Sequence, residues 1–414
     1  MQKKIQKGVE LPQIHGKLRI LFDGQQLAKA FIQKQTGIFR VSDEVFRRLC
    51  RRNDVDIHLL MTNNKGEPEK YLQHIGYPEI PIVHMPLLLK TTKYRTIVHK
   101  TCYALLRRIM PHFYNDTLRQ FDVYFSPYPP ISPLVYDSGI KTACICHDVI
   151  PLQFPHFAGP YKTLSKNFPD YIKKLSADFV FFVSNSARRD FLTYRPDFPY
   201  EKTAVAYPGS DSLVDTTRNC AISDQRIKYG IPDGQYVFTL SESNPRKNFA
   251  HVIRSFVKYI EDYKDEKTNL VIGGKKLSKS DYIGMTGGLF EKHCSRIIIT
   301  GYIADEDLDS IYRGAALFLF PSLYEGFGLT PLEAMKRNVP VITANNSSLS
   351  EVCGDAVMYV SGFSDAETSG AIRQILSDSA LAAQMRESGL QRASMFSFDR
   401  MVEQIMARLH ALKN

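Results

Sequence analysis

The sequence predicts an α/β fold made of two doubly wound parallel sheets, and three observations lead to this prediction. The chain has 414 residues, which exceeds the size at which a single hydrophobic core stops growing. Short apolar segments alternate with segments of helical periodicity, as parallel βαβ units require. The alternation is interrupted around residues 206–225, where turn-forming and polar residues replace the apolar rhythm. The sequence therefore predicts two α/β domains.

The first half is predicted to open with a strand, a loop and a helix. Residues 18–22 (LRILF) form the strand, Thr36-Gly37 lies in the loop, and the segment 41–49 has helical periodicity. Further strands are predicted at the apolar runs 55–60, 79–83, 123–126, 142–146 and 178–184.

A second series of apolar runs begins after Pro208-Gly209. Strands are predicted at 236–240, 269–274, 296–300, 317–320, 339–343 and 357–360. The last segment has apolar residues at helical spacing, namely Met401, Ile405, Met406 and Leu409. We therefore predict a Rossmann-like domain at 1–207, a second at 208–396 and a terminal helix at 397–414.

Composition excludes several classes of protein. Hydrophobic and charged contents of 44% and 23% are ordinary for a folded soluble chain, and no apolar stretch is long enough to span a membrane. The first residues, MQKKIQKGVELPQ, lack the apolar core of a secretory signal. The seven cysteines are scattered, which favours reduced thiols and a cytoplasmic location.

The positive charge is confined to the first half of the chain. Residues 1–200 carry 29 Lys and Arg against 17 Asp and Glu, whereas the remainder carries 24 against 26. This excess has three open explanations: an anionic membrane surface, a pyrophosphate-bearing acceptor or solubility alone. Nucleic acid is not expected as a partner, because the basic residues come without a recognisable binding module.

The segment 320–337, FPSLYEGFGLTPLEAMKR, is the most informative part of the sequence. Glycines follow a buried strand, and Thr330, Pro331 and Glu333 are placed as a capping box that would open a helix. The free N–H groups of such a first turn favour an anion. Glu325 and Glu333 can then flank one crevice, where a nucleotide-sugar would fit. The alternative, in which Glu333 only caps its helix and Glu325 is a solvated loop residue, stays open on spacing alone.

Two other loops follow predicted strands at the edge of the sheet where parallel sheets bind ligands. His147-Asp148 comes after the strand at 142–146, and Arg246-Lys247 comes after the strand at 236–240. The simpler interpretations are a turn, with His147 bonded to a neighbouring carbonyl, and a basic cap for the helix predicted from residue 248.

At these residues the chain resembles retaining nucleotide-sugar glycosyltransferases of the GT-B architecture, and specifically glycosyltransferase family 4. The resemblance is nearly continuous over ITGYIADEDLDSIYRGAALFLFPSLYEGFGLTPLEAM, VPVIT and SSLSEVCGDA in the second half. It is weaker in the first half, where it depends on Thr36-Gly37-Ile38, CHDVIPLQFP at 146–155 and AVAYPGSD at 204–211.

The resemblance implies a role for each matching residue. Glu325 would contact the donor sugar, Glu333 the ribose, and Lys247 the diphosphate, while His147 would touch the sugar from the first domain. Gly37 would let its loop approach the phosphates, and the terminal helix would cross back onto the first domain. Backbone groups of the loop would hold sugar and phosphate, namely those of Gly326, Phe327, Gly328 and Leu329.

The sequence departs from the family pattern at two places. The arginine that the family commonly has five residues before the lysine is replaced by Glu242, so Arg246 is expected to supply that cation. The usual glycine before VPVIT is Asn338, which tolerates left-handed backbone better than most residues.

Some patterns suggest further sites. Asp54-Val55-Asp56 and Asp305-Glu306-Asp307 imitate the metal-binding D-x-D of other transferases, but acidic triplets are common on surfaces and we expect no catalytic metal. The segment 87–110 mixes apolar residues with lysines and arginines. It is either an interfacial helix for anionic lipid or a solvated basic face.

Together these features predict a metal-independent retaining hexosyltransferase, with Glu325, His147 and Lys247 central to catalysis. The HDVIP segment looks like that of mannosyltransferases of bacterial polysaccharide assembly, which favours GDP-mannose as donor over a UDP-sugar. The acceptor is expected to be a glycan or a lipid-linked glycan, with no cofactor beyond the donor. The protein is expected in the cytoplasm or on the inner face of the membrane. The alternatives are an epimerase or phosphorylase of the same architecture and a non-catalytic scaffold that binds sugar nucleotides.

Overall fold

A computed structural model describes most of the chain, and its strands form two parallel sheets. The described residues are 16–32, 36–62, 66–85, 115–155, 162–211, 222–241, 244–274 and 278–413. The basic segment 87–110 and Glu242 lie outside them, so the expectations about these residues stay predictions.

The first sheet contains seven parallel strands in the order β3-β2-β1-β4-β5-β6-β7. Its strands are β1 Leu18–Asp23, β2 Val55–Met61, β3 Ile82–His84, β4 Val123–Ser126, β5 Lys141–Cys146, β6 Phe179–Phe182 and β7 Thr203–Val205. The associated helices are α1 Gly37–Cys50, α2 Pro68–Ile75, α3 Pro133–Asp137, α4 Ile150–Gln153, α5 Lys162–Lys174 and α6 Asn185–Tyr194.

The second sheet contains six parallel strands in the order β10-β9-β8-β11-β12-β13. Its strands are β8 Tyr236–Ser241, β9 Asn269–Gly274, β10 Ile297–Gly301, β11 Leu317–Phe320, β12 Val341–Ala344 and β13 Met358–Val360. The helices are α7 Ile222–Tyr229, α8 Phe249–Asp262, α9 Lys279–Thr286, α10 Leu289–Lys292, α11 Asp305–Arg313, α12 Leu329–Lys336, α13 Ser347–Cys353, α14 Asp365–Ser377, α15 Ser379–Ser394 and α16 Phe398–Lys413.

Both sheets have the doubly wound order in which the strand sequence reverses beside the first strand of each unit. β1 lies between β2 and β4, and β8 lies between β9 and β11. Ligands of open α/β sheets bind outside the carboxyl ends of the strands at such a reversal. The predicted fold class, two Rossmann-like units of the GT-B architecture, is confirmed.

The hydrophobic core joins the two units. One cluster of buried residues covers the first sheet and continues to the facing side of the second, where it includes Phe318, Phe320 and Phe327. A separate cluster fills the outer side of the second sheet, beneath α8 and α14. The two units therefore share an apolar contact beside the gap between their strand ends.

The chain passes between the units at two neighbouring places. The first crossing follows β7, and the second leads from α15, which packs on α12, to α16, which packs on α1, β4 and β5. The side chain of Asp211 in the first crossing accepts a 2.7 Å hydrogen bond from the N–H of Phe398 in the second. The domain limits drawn at 207 and 396 stay predictions.

The strand β7 was not among the predicted strands. Thr203–Val205 is only three residues long and Ala206-Tyr207-Pro208 follows it, so it has too few positions to show a period. All of the predicted strands are present, with ends that differ by up to three residues.

Candidate functional site

The loop after β11 ends where α12 begins, and this helix does not start as predicted. The capping box that would begin at Thr330 is wrong, because α12 begins at Leu329 and Gly328 is its N-cap with a φ of 113°. Thr330 lies inside the first turn. Glycine adopts this left-handed conformation at little cost, so the helix can begin two residues before the predicted start at Pro331.

The backbone of this loop is held on its carbonyl side. The hydroxyl of Ser348, on α13, donates to the carbonyl oxygens of Glu325 at 2.9 Å and Phe327 at 2.7 Å. Four consecutive N–H groups have no hydrogen-bond partner among the residues that the structure describes. These are the N–H groups of Gly326, Phe327, Gly328 and Leu329. Free amides at a helix start favour an anion.

The carboxylate of Glu325 is the centre of a buried cluster of charges. Its Oε1 accepts from the Nζ of Lys247 at 2.8 Å and from the hydroxyl of Ser322 at 2.6 Å. Its Oε2 lies 2.7 Å from Nη1 of Arg246. The side chains of Glu325, Arg246 and Lys247 are all nearly buried. The structure therefore brings these three predicted residues together.

Two opposing effects set the protonation of Glu325. Burial alone would raise the pKa of its carboxyl, but the positive charges of Arg246 and Lys247 outweigh burial and lower this pKa to about 2. Glu325 is therefore ionised throughout the physiological range, and it suits hydroxyl binding rather than proton donation.

Arg246 and Lys247 are not a cap of the following helix. They lie in the short turn Pro245–Lys247, and Asn248, with a φ of 57°, separates this turn from α8. Both cations turn toward Glu325 instead. The amine of Lys247 also lies 4.8 Å from the ring centre of Phe320.

Glu333 lies in the first turns of α12 and is paired with the first unit. Its Oε1 contacts the guanidinium of Arg40, on α1, and its Oε2 lies 3.5 Å from the hydroxyl of Tyr312. The sequence analysis did not identify Arg40, because a contact between helices of different units leaves no local pattern.

His147 follows β5 in the first unit, and its carbonyl oxygen lies beside Gly326 of the second unit. Its Nε2 bonds to the carbonyl oxygen of Pro127 at 2.9 Å, as the simpler interpretation of this turn anticipated. Burial lowers the pKa of this imidazole to about 4, so the ring is neutral near pH 7. Because a carbonyl only accepts, Nε2 carries the proton and Nδ1 is left as a hydrogen-bond acceptor.

Two predicted glycines lie where the two units contact each other. A Cβ on Gly326 would lie 2.6 Å from the carbonyl oxygen of His147 and 3.0 Å from the Cβ of Asp148. A Cβ on Gly37, the first residue of α1, would lie 3.5 Å from the side chain of Leu329. The predicted residues of the two halves therefore meet across one gap.

Further side chains join the units beside this gap. Glu351, on α13, accepts hydrogen bonds from the N–H groups of Asn185 and Ser186 and from the hydroxyl of Tyr207, at 2.7 to 3.0 Å. It thus caps α6 of the opposite unit. Ser348 and Glu351 have the sequence spacing of a capping box, but α13 has Asn346 as its N-cap and Glu351 contacts the opposite unit instead.

Aspartates of both acidic triplets lie close to arginine side chains. Asp54 pairs with Arg52 and Asp56 with Arg19, while Asp305 lies 3.9 Å from Arg40. Within the described ranges, no group of three or more His, Cys, Asp or Glu side chains is arranged to hold a metal ion. None of the helices described there is both long and apolar enough to cross a bilayer.

Comparison with known proteins identifies the second unit. Residues 222–392 match the family model described as Glycosyl transferases group 1. The serotype-specific mannosyltransferase WbdA of Escherichia coli is 30% identical over 272 residues, which are 62% of this chain and 32% of WbdA. The chain thus spans about a third of the length of this relative.

A second curated relative and a solved structure extend the comparison. The O-antigen chain mannosyltransferase B of Escherichia coli is 31% identical over 228 residues, covering 54% of this chain and 58% of that protein. HepE from Anabaena, solved in complex with UDP and glucose, superposes with a TM-score of 0.66 at 17% identity, over 95% of this chain and 100% of HepE. At that identity HepE supports the fold alone. Residues 222–392 are therefore a domain of the glycosyl transferases group 1 family, carried by a chain with the GT-B fold.

Proposed function

We propose that the chain transfers a mannosyl group from GDP-mannose to a hydroxyl of a glycan or lipid-linked glycan in bacterial polysaccharide assembly. The observation that carries the proposal is the buried cluster of Glu325, Arg246 and Lys247, together with the four N–H groups of residues 326–329 at the start of α12, called the α12 amides below. The mannosyltransferases among the relatives support the choice of sugar.

The cluster has capacity left for a donor. A carboxylate has about four lone-pair sites, and Arg246, Lys247 and Ser322 use three of those on Glu325. One site remains for a sugar hydroxyl. Lys247 has three N–H groups, of which one donates to Glu325, so two can face phosphate oxygens.

The proposed reaction replaces one glycosidic bond on the same face of the sugar. The bond between the anomeric carbon and the diphosphate oxygen breaks, and the acceptor oxygen forms the new bond. The acceptor proton passes to the departing phosphate oxygen. Lys247, Arg246 and the α12 amides stabilise the negative charge that grows on the diphosphate, while Glu325 and His147 Nδ1 orient sugar hydroxyls. The proposal includes no metal ion and no cofactor besides the donor.

A donor panel tests the proposal. We expect the melting temperature of the purified protein to rise with GDP and GDP-mannose more than with UDP or UDP-glucose. With a glycan acceptor, NMR of the product should show the anomeric configuration of the donor, in the presence or absence of EDTA. A rise in melting temperature with UDP-sugars alone would mean that the donor is a UDP-sugar and not GDP-mannose. Sugar release or epimerisation without an acceptor would indicate a phosphorylase or epimerase, and binding without turnover would indicate a scaffold.

A peripheral location at the inner membrane face is part of the same proposal. It depends on the basic first half of the chain and would be tested by sedimentation with anionic vesicles. Equal sedimentation with neutral and anionic vesicles would contradict it.

A further inference from the structure

Arg40 reaches from one unit to a residue of the predicted nucleotide site in the other. It lies in the first turn of α1, three residues after Gly37. Its guanidinium contacts Oε1 of Glu333 and lies 3.9 Å from Oδ1 of Asp305, at the start of α11. About a third of the Arg40 side chain is exposed (34%), against 10% for Glu333.

The contact leaves Glu333 able to bind hydroxyls. Arg40 uses one oxygen of the carboxylate, and the other lies at the limit of hydrogen bonding from Tyr312. Lone pairs remain on both oxygens for a vicinal diol such as that of ribose. An arginine at this position fixes the orientation of the carboxylate.

Arg40 also balances charge at this end of the gap. Glu333 and Asp305 would otherwise present two carboxylates to a diphosphate ligand that is itself negative. A guanidinium between them reduces the repulsion, and its planar fork can contact a carboxylate in a fixed geometry that a lysine cannot reproduce.

We propose that Arg40 is a positioning residue of the donor site, which holds Glu333 from the opposite unit so that it binds the ribose of the nucleotide. This inference rests on the proposed function, since it assumes a nucleoside diphosphate in the gap. Arg40 acts through Glu333, so its effect depends on the ribose hydroxyls and on an intact Glu333.

Calorimetric titration of the full chain with two nucleotides tests this dependence. The probes are GDP and 2′,3′-dideoxy-GDP, which lacks the ribose diol. For GDP, we expect Arg40→Gln and Glu333→Gln each to raise the dissociation constant about tenfold, and the double variant to bind no more weakly than either single variant. For the dideoxy nucleotide, each change should alter the dissociation constant less than about threefold.

Two further variants separate positioning from stability. Arg51→Gln removes the same charge from the exposed end of α1 and should bind GDP as the wild type does. Arg40→Lys should recover only part of the lost affinity, because it restores charge without the fork.

Several outcomes would overturn the inference. It is wrong if Arg40→Gln binds GDP as tightly as the wild type, if it loses affinity equally for both nucleotides, or if the two single losses multiply in the double variant. These results would leave the proposed function intact when the wild type binds GDP. A wild type that binds no nucleoside diphosphate would refute the proposed function and this inference with it.

Discussion

The Nζ of Lys247 lies 2.8 Å from Oε1 of Glu325, although the two residues are 78 positions apart in the sequence. The groups predicted to serve the diphosphate and the sugar are thus bonded to each other. Each fixes the other, so a donor would meet a cluster that is already oriented.

This pairing predicts coupled effects in a double-mutant cycle. Glu325→Gln should lower the free energy of unfolding by about 3 kcal/mol, because it removes the carboxylate charge that pairs with the nearly buried Arg246 and Lys247. Lys247→Met should cost less, since Arg246 still neutralises Glu325. The double variant should lose about 1 to 3 kcal/mol less than the sum of the single losses. Chemical denaturation measures all four proteins.

The same variants should lower turnover about a hundredfold or more. Glu387→Gln is the matched control, because Glu387 is exposed on α15 and its loss should change neither quantity. Additive stability losses, or full activity in Glu325→Gln, would show that the cluster is not a functional unit.

His147 predicts a pH dependence of stability with a definite sign. Burial lowers the pKa of this imidazole from 6.5 to about 4, so between these values the unfolded chain takes up a proton that the folded chain does not. The contribution to stability is complete above pH 6.5 and is lost as the pH falls toward 4.

His147→Asn should remove this part of the pH dependence. Between pH 7.5 and pH 5, the wild type should lose about 2 kcal/mol of unfolding free energy more than the variant does. Urea denaturation at the two pH values measures the difference. Parallel pH profiles would mean that His147 is not held in its neutral form.

Gly326 and Gly370 predict opposite effects of the same substitution. Gly326→Ala would place a methyl group 2.6 Å from the carbonyl oxygen of His147. It should force the units apart, lower unfolding free energy by about 1 to 3 kcal/mol and reduce turnover. Gly370 lies within α14, and a methyl group added there would meet no atom within 4 Å. Gly370→Ala should therefore stabilise the chain by about 0.5 to 1 kcal/mol.

Melting curves and initial rates of the two glycine variants check this pair. Equal changes in melting temperature for the two variants, or normal turnover in Gly326→Ala, would contradict the close contact at Gly326.

Replacement of Glu351 is expected to make the unfolding of the two units less cooperative. It caps α6 across the interface, and Glu351→Gln should lower unfolding free energy by about 1 kcal/mol, as the loss of a helix cap does. The first unit should then unfold ahead of the second in denaturant. Tryptophan is absent from the chain, so circular dichroism and tyrosine fluorescence are the probes. Coincident transitions at the wild-type midpoint would refute this coupling.

The fold was predictable because each strand of a parallel sheet is a short apolar run. Segments such as LFLF at 317–320 and VYFS at 123–126 are buried throughout, so burial on both faces appears directly in the sequence. The three-residue β7 has no such run, and its place in the sheet is set by pairing with β6.

The candidate site was predictable where a residue belongs to a recognisable local motif, such as His147-Asp148 and Arg246-Lys247 in the loops after predicted strands. The segment from Glu325 to Glu333 carries its own signal of strand, glycines and helix. Arg40 and Ser322 gave none, because their contacts with Glu333 and Glu325 arise from packing between distant elements or from a single serine among many. The start of α12 was predicted wrongly for a related reason: a glycine cap and a Thr-Pro-x-Glu cap both fit the residues, and the local backbone decides between them.

The two crossings between the units also limit how the gap can widen. Each crossing alone would allow the units to swivel about a single connection. Since Asp211 bonds to Phe398, and a Cβ on Gly209 would lie 2.2 Å from the Phe398 nitrogen, the crossings are held side by side. Two adjacent crossings oppose twisting of one unit against the other, and they leave bending about the line through both crossings. We therefore expect the gap to open for substrates by a hinge rotation about the two crossings, which would separate the strand ends of the two units.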